Sequence, residues 1–380
     1  MKKLKVAIIG IGNMGGHHYE DLASNEGFEI KALCDKASSK TEFFKGERYT
    51  DSAELIRKAD VDAVIISTPH YDHTPIAIDA LDNGLHVLVE KPVAVHKKDA
   101  EKMNEAHARN PDRVFAAMFN RRVDPLYRKM RSIVKGGEVG EIRRVSWTVT
   151  DWFRTEAYYA SGGWRATWKG EGGGVLLNQC PHNLDLLQWI TGMPEGVTAL
   201  AGLGKHHNIE VEDEVSALLE YPGGATGVFV TSTGEAPGTD SFEIAGDRGL
   251  LTARDGKLHF RRNTVPTPEF SSTTKAGFAK PEVWEVEIPV GKIEQLHLGV
   301  LLNFRAAILD GEKLIAPAEE GLKSVELANA MLLSGITGKK ASLPLDGDIF
   351  AGKLNELIEN SSFEKGEEVV LEGDFQQSYK

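Results

Sequence analysis

The sequence predicts two regions of different fold class. The first is a doubly wound α/β region with a parallel sheet, and the second is an α+β region with a large, open, mostly antiparallel sheet flanked by helices. Short apolar runs alternate with helical patterns as far as Asn120, and this rhythm predicts parallel strands with helices on both faces. Several strands then follow one another without intervening helices, which favours antiparallel pairing. We place the two domains at residues 1–121 and 122–380, and helices of the second are expected to pack back on the first.

The apolar patterns place the individual elements as follows. Strands are predicted at 4–9, 28–34, 63–67, 86–89, 114–117 and 142–150, with several more across 197–289. Helices are predicted at 14–24, 53–58, 75–83, 97–109, 125–134, 176–190, 296–309 and 319–334. The polar tail 364–380 is expected to be loosely held.

Composition and charge exclude several classes of function. The 44 Lys and Arg residues are outnumbered by 56 Asp and Glu, and the net charge of −12 argues against a nucleic-acid partner. No apolar run is long enough for a membrane span, and the N-terminus lacks a secretory signal pattern. Two cysteines without zinc-ligand spacing predict neither a disulfide scaffold nor a metal site. We therefore expect a cytoplasmic protein.

A glycine-rich turn follows the first predicted strand and opens the first predicted helix. In the run Gly10-Ile11-Gly12-Asn13-Met14-Gly15, glycines allow a tight turn, close approach to a diphosphate and close helix–strand packing. Asp35 lies twenty residues after Gly15, at the end of the second strand, where a carboxylate binds adenosine ribose hydroxyls. The pattern predicts a Rossmann site for NAD, although Asp35 also suits a helix N-cap. Lys36 and Lys40 keep NADP open.

Two further segments end strands at the carboxyl edge of the parallel sheet, where α/β folds place their ligands. One is Ser67-Thr68-Pro69 and the other is Glu90-Lys91-Pro92. A residue before proline is extended, so Lys91 is expected to project into the crevice, and we hypothesise a cis Lys91–Pro92 bond. Ordinary loop chemistry and a solvent-exposed lysine are the structural alternatives.

The triple glycine 172–174 precedes a predicted helix that carries three polar candidates. Asn178 and His182 are spaced i, i+4 on one predicted face, and Asp185 is placed to orient the imidazole. Pro181 implies a bend just before His182. A neutral imidazole suits a general base, and Asn178 can orient a substrate but cannot share a proton. A helix histidine is otherwise more often a core or surface residue.

Five of the six tryptophans lie between residues 147 and 189. Aromatic faces stack on the CH faces of pyranose rings, and arginine binds the hydroxyls. Trp152, Arg154 and Trp164 are therefore candidates for a sugar-facing wall. A core or interface role is the alternative, especially for Trp147 and Trp189. His17, His70, His96, His107, His206, His207 and His259 are assigned to surface or structural roles.

These motifs together resemble the glucose–fructose oxidoreductase/inositol dehydrogenase/rhizopine-catabolism (Gfo/Idh/MocA) family. The similarity runs over roughly residues 4–345 and includes Gly10–Gly15 with His18, 77–92, 172–185, 243–249 and 303–311. It implies that Lys91 and His182 serve the substrate hydroxyl and that Trp164-Arg165 approach the cofactor. Inositol dehydrogenases carry Asp where this chain has Asn178, so it looks more like members that act on nucleotide sugars or on the 3-hydroxyl of hexosides.

The resulting hypothesis is an NAD(P)-dependent oxidoreductase that transfers a hydride between a secondary hydroxyl of a sugar or polyol and nicotinamide. An NAD-dependent redox-neutral glycosidase and a non-catalytic NAD-sensing regulator on the same fold are the alternatives. A homodimer or homotetramer through the C-terminal sheet is expected. Besides the glycine-rich turn, cofactor contacts are assigned to Asp35, Lys36, Ser67, Thr68, Pro69, His73, Glu90, Lys91, Asn120, Trp164 and Arg165. Substrate contacts are assigned to Lys91, Arg121, Trp152, Arg154, Trp164, Asn178, His182, Asp185 and His297.

Overall fold

The computed structural model describes residues 2–293, 295–369 and 371. A parallel sheet forms in the N-terminal region from β1 (Leu4–Ile9), β2 (Phe28–Cys34), β3 (Glu47–Tyr49), β4 (Ala63–Ile66), β5 (His86–Val89) and β6 (Phe115–Ala117). Its neighbours lie in the order β3-β2-β1-β4-β5-β6, and every pair is parallel. The predicted doubly wound sheet is confirmed. The short edge strand β3 was not predicted, since its run is too brief and polar to carry an apolar signal.

Four helices connect these strands: α1 (Asn13–Ala23), α2 (Ser52–Lys58), α3 (His70–Asp82) and α4 (Lys97–Arg109). Helix α3 begins five residues before the predicted start, directly after Pro69. Pro75, expected as its first residue, lies inside the helix. The earlier start places His70 and His73 on the helix, next to the strand ends that form the site.

The second region contains a nine-stranded sheet. Its strands are β7 (Ile142–Val149), β8 (Gly196–Leu203), β9 (Glu212–Glu220), β10 (Thr226–Ser232), β11 (Asp240–Gly246), β12 (Gly249–Arg254), β13 (Lys257–Asn263), β14 (Val283–Ile288) and β15 (Ala341–Ser342). The order is β14-β13-β12-β11-β7-β10-β9-β8-β15, and only the β7–β10 pair is parallel. The predicted open, mostly antiparallel sheet is confirmed.

The helices of the second region are α5 (Pro125–Lys135), α6 (Glu156–Ala160), α7 (Pro181–Thr191), α8 (Thr267–Thr273), α9 (Leu296–Asp310), α10 (Gly321–Thr337) and α11 (Gly347–Asn360). Helix α7 and helix α10 cover one face of the nine-stranded sheet, and their buried residues share a core with the inward residues of β8 and β9. The opposite face leaves Leu200 and Leu218 exposed, at 78% and 59% of their surface.

Strand β1 shows how the two regions join. Leu4 and Ile8 point to one face of the parallel sheet, where they pack with Phe304 of α9, whereas Ala7 and Ile9 point to the other face. A parallel sheet needs cover on both faces. Helix α9, from late in the chain, therefore completes the first core, and it brings His297 to the same edge as the glycine-rich turn.

Candidate active site

A single large cleft runs along the carboxyl ends of the parallel strands. Its volume of about 1830 Å³ exceeds the roughly 300–1,000 Å³ of an ordinary small-ligand pocket, so a dinucleotide and a second ligand fit together. The lining includes these predicted residues: Gly10, Gly12, Asn13, Met14, Asp35, Lys36, Ser67, Thr68, Pro69, His73, Glu90, Lys91, Asn120, Arg121, Trp152, Arg154, Trp164, Arg165, Asn178, His182 and His297. Ile11, Gly15 and Asp185 do not line it.

The glycine-rich turn fits a dinucleotide diphosphate. A Cβ on Gly15 would lie 1.9 Å from the Gly10 carbonyl oxygen, so only glycine lets helix α1 approach the strand end this closely. Gly10 has φ +93°, a backbone conformation that favours glycine. A Cβ on Gly12 would instead meet no protein atom within 4 Å, because Gly12 faces the open cleft. The turn leaves space at the N-terminus of α1, where a diphosphate binds.

Asp35 holds this turn from the neighbouring strand. One carboxylate oxygen accepts a hydrogen bond from the Ile11 backbone N–H at 2.8 Å, and the other accepts from the Ala37 N–H at 2.9 Å. The Asp35 carboxylate therefore has a structural role as well as a place in the cleft. Lys40 Nζ lies 3.6 Å from it, while Lys36 is paired with Asp72 at 3.0 Å.

The next strand ends supply hydroxyls and a buried carboxylate that is hydrogen-bonded to a histidine. Ser67 Oγ donates to the Gly10 carbonyl at 2.9 Å, and Thr68 Oγ1 is buried with no protein partner. Glu90 accepts a hydrogen bond from buried His18 at 2.7 Å. Burial would raise the pKa of Glu90, but the hydrogen bond and charge of His18 outweigh it and hold this pKa at about 2. Glu90 is therefore an anion fixed beside Lys91.

Lys91 and His182 meet in the cleft as predicted, but the local structure around them differs from expectation. The Lys91–Pro92 bond is cis, which confirms the hypothesis, and Lys91 Nζ donates to the Asn178 carbonyl at 2.8 Å. The predicted helix over 176–190 was wrong at its start: α7 begins at Pro181, and the residues before it form turns. Pro181 therefore occupies the first helical position, where it costs no hydrogen bond, rather than bending a longer helix.

Burial and the neighbouring positive charges lower the pKa of both Lys91 and His182. Desolvation lowers the pKa of Lys91, and the positive charges of Arg165 and Arg154 lower it further against the opposing effect of Glu90. Desolvation and the charges of Lys91 and Arg121 hold the pKa of His182 well below 6.5. His182 Nδ1 is buried without a protein partner. A neutral imidazole can accept a proton from a bound hydroxyl.

Asn178 is held by a carboxylate that the sequence analysis missed. Its Nδ2 donates to Glu171 Oε1, while its Oδ1 accepts from the Tyr158 hydroxyl at 3.2 Å. The other Glu171 oxygen accepts from the Ala166 N–H at 2.6 Å. Burial raises the pKa of Glu171, which is 2% exposed. The position of Glu171 directly before the triple glycine was the available signal.

The triple glycine is fixed by a second buried carboxylate. Glu212 accepts hydrogen bonds from the Gly174 N–H at 2.8 Å and the Leu176 N–H at 3.1 Å. Burial raises the pKa of Glu212 to about 7. A Cβ on Gly174 would lie 2.0 Å from the Glu212 carbonyl oxygen, so the segment presenting Asn178 packs directly on strand β9.

The expectation that Asp185 orients His182 or contacts substrate was wrong. Asp185 binds Arg122 through two hydrogen bonds, at 2.8 Å to Nε and 2.6 Å to Nη2, and both side chains are 1% exposed. Gln188 also donates to it at 3.1 Å. The register of α7 turns Asp185 into the protein, and its carboxylate compensates a buried guanidinium.

The tryptophan cluster divides between the cleft and the core. Trp152 and Trp164 line the cleft, as predicted for a substrate wall. Trp147 is buried and stacks on Phe242 with ring centroids 4.1 Å apart, and Trp168 is also in the core. Trp189 lies against Arg122 and Arg131. The clustering of tryptophans in the sequence therefore indicated the region of the cleft but not which tryptophans line it.

Several histidines lie along the cleft. Asn120 Nδ2 and His297 Nε2 lie 2.7 Å apart. His73 contacts the Pro92 and Thr68 carbonyls at 2.9 and 2.8 Å, which ties α3 to both strand ends. His17 and His70, which were assigned structural or surface roles, also line the cleft. Burial lowers the pKa of His70 to about 3, and its ring contacts Trp164 at 5.5 Å.

The described part of the C-terminal tail is held against the loop between α6 and α7. Lys365 Nζ donates to the Arg165 carbonyl at 3.0 Å, and the Gly162 N–H donates to Glu368 at 3.1 Å. Glu368, Val369 and Leu371 line the cleft. The expectation of a loosely held tail was wrong for 364–369, while 370 and 372–380 lie outside the described residues.

Comparison with known proteins identifies the family. Residues 4–118 match the family described as "Oxidoreductase family, NAD-binding Rossmann fold", and residues 127–252 match the "GFO/IDH/MocA C-terminal domain". This chain belongs to the GFO/IDH/MocA family. The resemblance inferred from the motifs is confirmed, as is an NAD-binding Rossmann domain.

Relatives of known activity are moderately similar. Inositol 2-dehydrogenase of Salmonella typhimurium is 33% identical over 145 residues, so the match spans 36% of this chain and 43% of that protein. Inositol 2-dehydrogenase of Rubrobacter xylanophilus is 26% identical over 346 residues, covering 88% and 91% of the two chains. The WlbA dehydrogenase of Chromobacterium violaceum, solved with NADH and UDP-GlcNAcA, superposes with a TM-score of 0.78 at 25% identity over 91% and 97% of the chains.

Within residues 2–293, 295–369 and 371, no group of three or more His, Cys, Asp or Glu side chains is arranged to hold a metal ion. No helix among the same residues is long and apolar enough to cross a membrane.

Proposed function

We propose that this GFO/IDH/MocA chain is an NAD(P)-dependent dehydrogenase acting on a secondary hydroxyl of a sugar or polyol. The observation that carries the proposal is the meeting of Lys91 and His182 in one cleft with the glycine-rich turn. The two side chains come from different regions of the chain. Lys91 ends a strand of the parallel sheet, His182 begins α7, and their separation in sequence makes a chance convergence at the strand ends a weak explanation.

The two groups divide the proton chemistry. Neutral His182 accepts the proton of the substrate hydroxyl, and Lys91 donates a hydrogen bond to the oxygen as negative charge develops on it. Bound NAD supplies the hydride acceptor. Glu90 holds a negative charge beside Lys91, which opposes the loss of its proton in the desolvated cleft. Asn178 orients the substrate and its carbonyl holds Lys91 Nζ in place.

The adenosine end favours NAD over NADP. The Asp35 carboxylate lies in the cleft at the end of β2, where a 2′-phosphate would meet its negative charge. Lys40 neutralises it only in part at 3.6 Å, and Lys36 is already paired with Asp72. We therefore expect NAD to be preferred.

The test is reduction of NAD and NADP by a panel of inositols, hexoses, hexosides and nucleotide sugars, followed by absorbance of the reduced cofactor. We expect turnover with a member of this panel and a loss of roughly 10²–10⁴-fold in His182→Ala or Lys91→Ala, the range typical of acid–base groups. Near-full turnover in both variants contradicts the assignment. Release of an aglycone without net NADH would instead favour the glycosidase.

We also propose that the protein assembles through the exposed face of its nine-stranded sheet. Val228 lies opposite Leu218, and all of Val228, Leu218 and Leu200 are exposed on neighbouring strands. Such an apolar face is costly to leave in water. A dimer or tetramer in light scattering supports the proposal, and Leu218→Lys should shift it toward monomer. A monomeric wild-type protein contradicts it.

A further inference from the structure

Two arginines share one aromatic ring at the substrate end of the cleft. The guanidinium carbons of Arg154 and Arg165 lie 5.1 and 4.7 Å from the centroid of the Tyr158 ring. Arg165 Nη1 also donates to the Tyr158 hydroxyl at 2.9 Å. Arg154 Nη1 donates to the Phe153 carbonyl at 2.9 Å, and its Nε is buried without a protein partner. Both guanidinium groups are therefore fixed in position, and Arg154 retains an unused donor.

Neither arginine is neutralised by a carboxylate. Across residues 2–293, 295–369 and 371, no carboxylate oxygen lies within 4.0 Å of a guanidinium nitrogen of Arg154 or Arg165, the distance that defines an ion pair. Other arginines of this protein do have a carboxylate partner, for example Arg109 with Asp82 and Arg261 with Glu285. Two unpaired guanidinium groups on one ring repel each other, and partial burial makes that repulsion stronger.

Two more cations act on the same end of the cleft. Arg121 and Lys91 both line it, and their charges lower the pKa of His182, although Arg121 is also paired with Asp124 at 3.6 Å. The charges of Arg154 and Arg165 in turn lower the pKa of Lys91. These four side chains therefore lie within electrostatic range of the residues that would bind the reacting hydroxyl.

Among the described residues, Asp124 pairs with Arg121, and the other carboxylates near these four side chains form no ion pair with them. Glu90 accepts from His18, and Glu171, which feels the charge of Arg165, accepts from Asn178 and does not line the cleft. Asp151 feels the charges of Arg121 and Arg154, but within the described chain it has no ion pair with either. Glu368 lines the cleft and accepts from a backbone N–H. In a chain of net charge −12, the described part of this end of the cleft thus leaves Arg154 and Arg165 without an ion-pair partner.

We propose that the substrate carries an anionic group, a carboxylate or a phosphate, which binds to Arg154 with support from Arg165. A guanidinium presents a planar fork of donors that matches either group. The inference rests on the proposed dehydrogenase function and narrows its substrate to sugar acids, sugar phosphates or nucleotide sugars. The diphosphate of the cofactor has its own cradle at Gly12 and the N-terminus of α1, so it does not account for Arg154.

The experiment compares substrates that differ in charge. The probes are methyl β-glucoside, methyl β-glucuronide, glucose 6-phosphate and UDP-glucose, tested as substrates with NAD and, by calorimetry, as ligands of the NADH-bound protein. One charged hydrogen bond corresponds to roughly 10- to 100-fold in affinity. We expect at least one anionic probe to exceed the neutral glucoside by this factor. The glucuronide and the phosphate compounds separate the two sources of the anion.

Arg154→Gln tests the residue, and Arg109→Gln removes an exposed arginine far from the cleft as a matched control. The ratio of anionic to neutral probe, in kcat/KM and in binding, should collapse by roughly 10-fold or more in Arg154→Gln and persist in Arg109→Gln. The inference is overturned if the neutral glucoside equals or exceeds every anionic probe. It is also overturned if Arg154→Gln changes only the KM for NAD. Turnover of neutral sugars alone would leave the dehydrogenase function standing, whereas absence of any NAD reduction across the wider sugar panel counts against that function.

Discussion

Replacing Asp185 with Ala separates the role that the structure gives this residue from the role that sequence spacing suggested. The Asp185 carboxylate accepts two hydrogen bonds from Arg122, at 2.8 and 2.6 Å, with both side chains 1% exposed. Removing one partner of a buried pair costs about 3–5 kcal/mol, because the remaining charge is left uncompensated. Arg122 keeps one carboxylate partner, Glu320 at 2.5 Å, which is 40% exposed, and a hydrogen bond to the Ile315 carbonyl at 3.3 Å. We therefore expect a loss near the lower end, about 3 kcal/mol.

That loss is a large part of the 5–15 kcal/mol by which typical domains are stable. The assay is urea unfolding followed by tryptophan fluorescence, since the Trp189 ring lies 5.2 Å from the Arg122 guanidinium carbon and reports on this region. Asp82→Ala is the matched control. It removes the carboxylate of an exposed pair with Arg109 at 2.9 Å, which should cost at most about 1 kcal/mol.

The double variant Arg122→Met/Asp185→Leu completes the test. Replacing a buried ion pair with apolar side chains of similar volume is often neutral or stabilising, so the double variant should recover much of the loss. At a temperature where the single variant stays folded, its kcat should fall far less than that of His182→Ala. Unfolding unchanged within about 1 kcal/mol, together with a kcat as low as that of His182→Ala, would refute the structural role.

Four further results are expected. Gly15→Ala should abolish NAD binding or folding, because its Cβ would lie 1.9 Å from the Gly10 oxygen. Gly12→Ala should keep the wild-type Tm and weaken NAD binding in calorimetry. Equal behaviour of the two variants would contradict the role of the glycine-rich turn as the diphosphate site. Asp35→Asn keeps an acceptor for the Ile11 N–H and removes the negative charge, so the ratio of kcat/KM for NADP to that for NAD should rise by roughly tenfold, about 1.4 kcal/mol; an unchanged ratio rejects the role in selectivity. Glu171→Gln places an amide donor against one of the two buried donors that Glu171 accepts from, Asn178 Nδ2 and the Ala166 N–H. It should cost about 1–3 kcal/mol of stability and raise the KM for sugar more than the KM for NAD. Since the pKa of His182 is held well below 6.5 and the base acts when neutral, kcat/KM should stay level as the pH falls through 6.5, and a fall centred there would contradict a desolvated base.

Local sequence patterns were sufficient to predict those features that depend on residues close together in the chain. The glycine-rich turn needs glycines at fixed positions for steric reasons, so Gly10–Gly15 and Asp35 could be read directly. The same holds for Glu90-Lys91-Pro92, since the carboxyl end of a strand in a parallel sheet lies at the ligand-binding edge. The fold class followed from the alternation of strands and helices and from its change after Asn120.

The roles of several individual side chains could not be predicted, because they depend on contacts between segments that are distant in the sequence. Asp185 is three residues after His182 and looked like its partner, yet the start of α7 at Pro181 sets a register that turns it toward Arg122, 63 positions away. The roles of Trp147 and Trp164 differ because one lies on an inward strand position and the other on a loop beside the cleft. No local pattern distinguishes these environments.

The sequence by itself predicted the glycine-rich turn, the fold class and the place of Lys91 at a strand end, because steric limits and strand direction act over short stretches of chain. The pairing of Lys91 with His182 came instead from the family resemblance. Tertiary structure alone decided which carboxylate supports Asn178 and which arginines remain unpaired at the substrate end. Both depend on how Tyr158, Glu171 and the arginines converge from the loop between β7 and α7. A charge is neutralised or left free only by what packs against it, and that is a property of the folded chain.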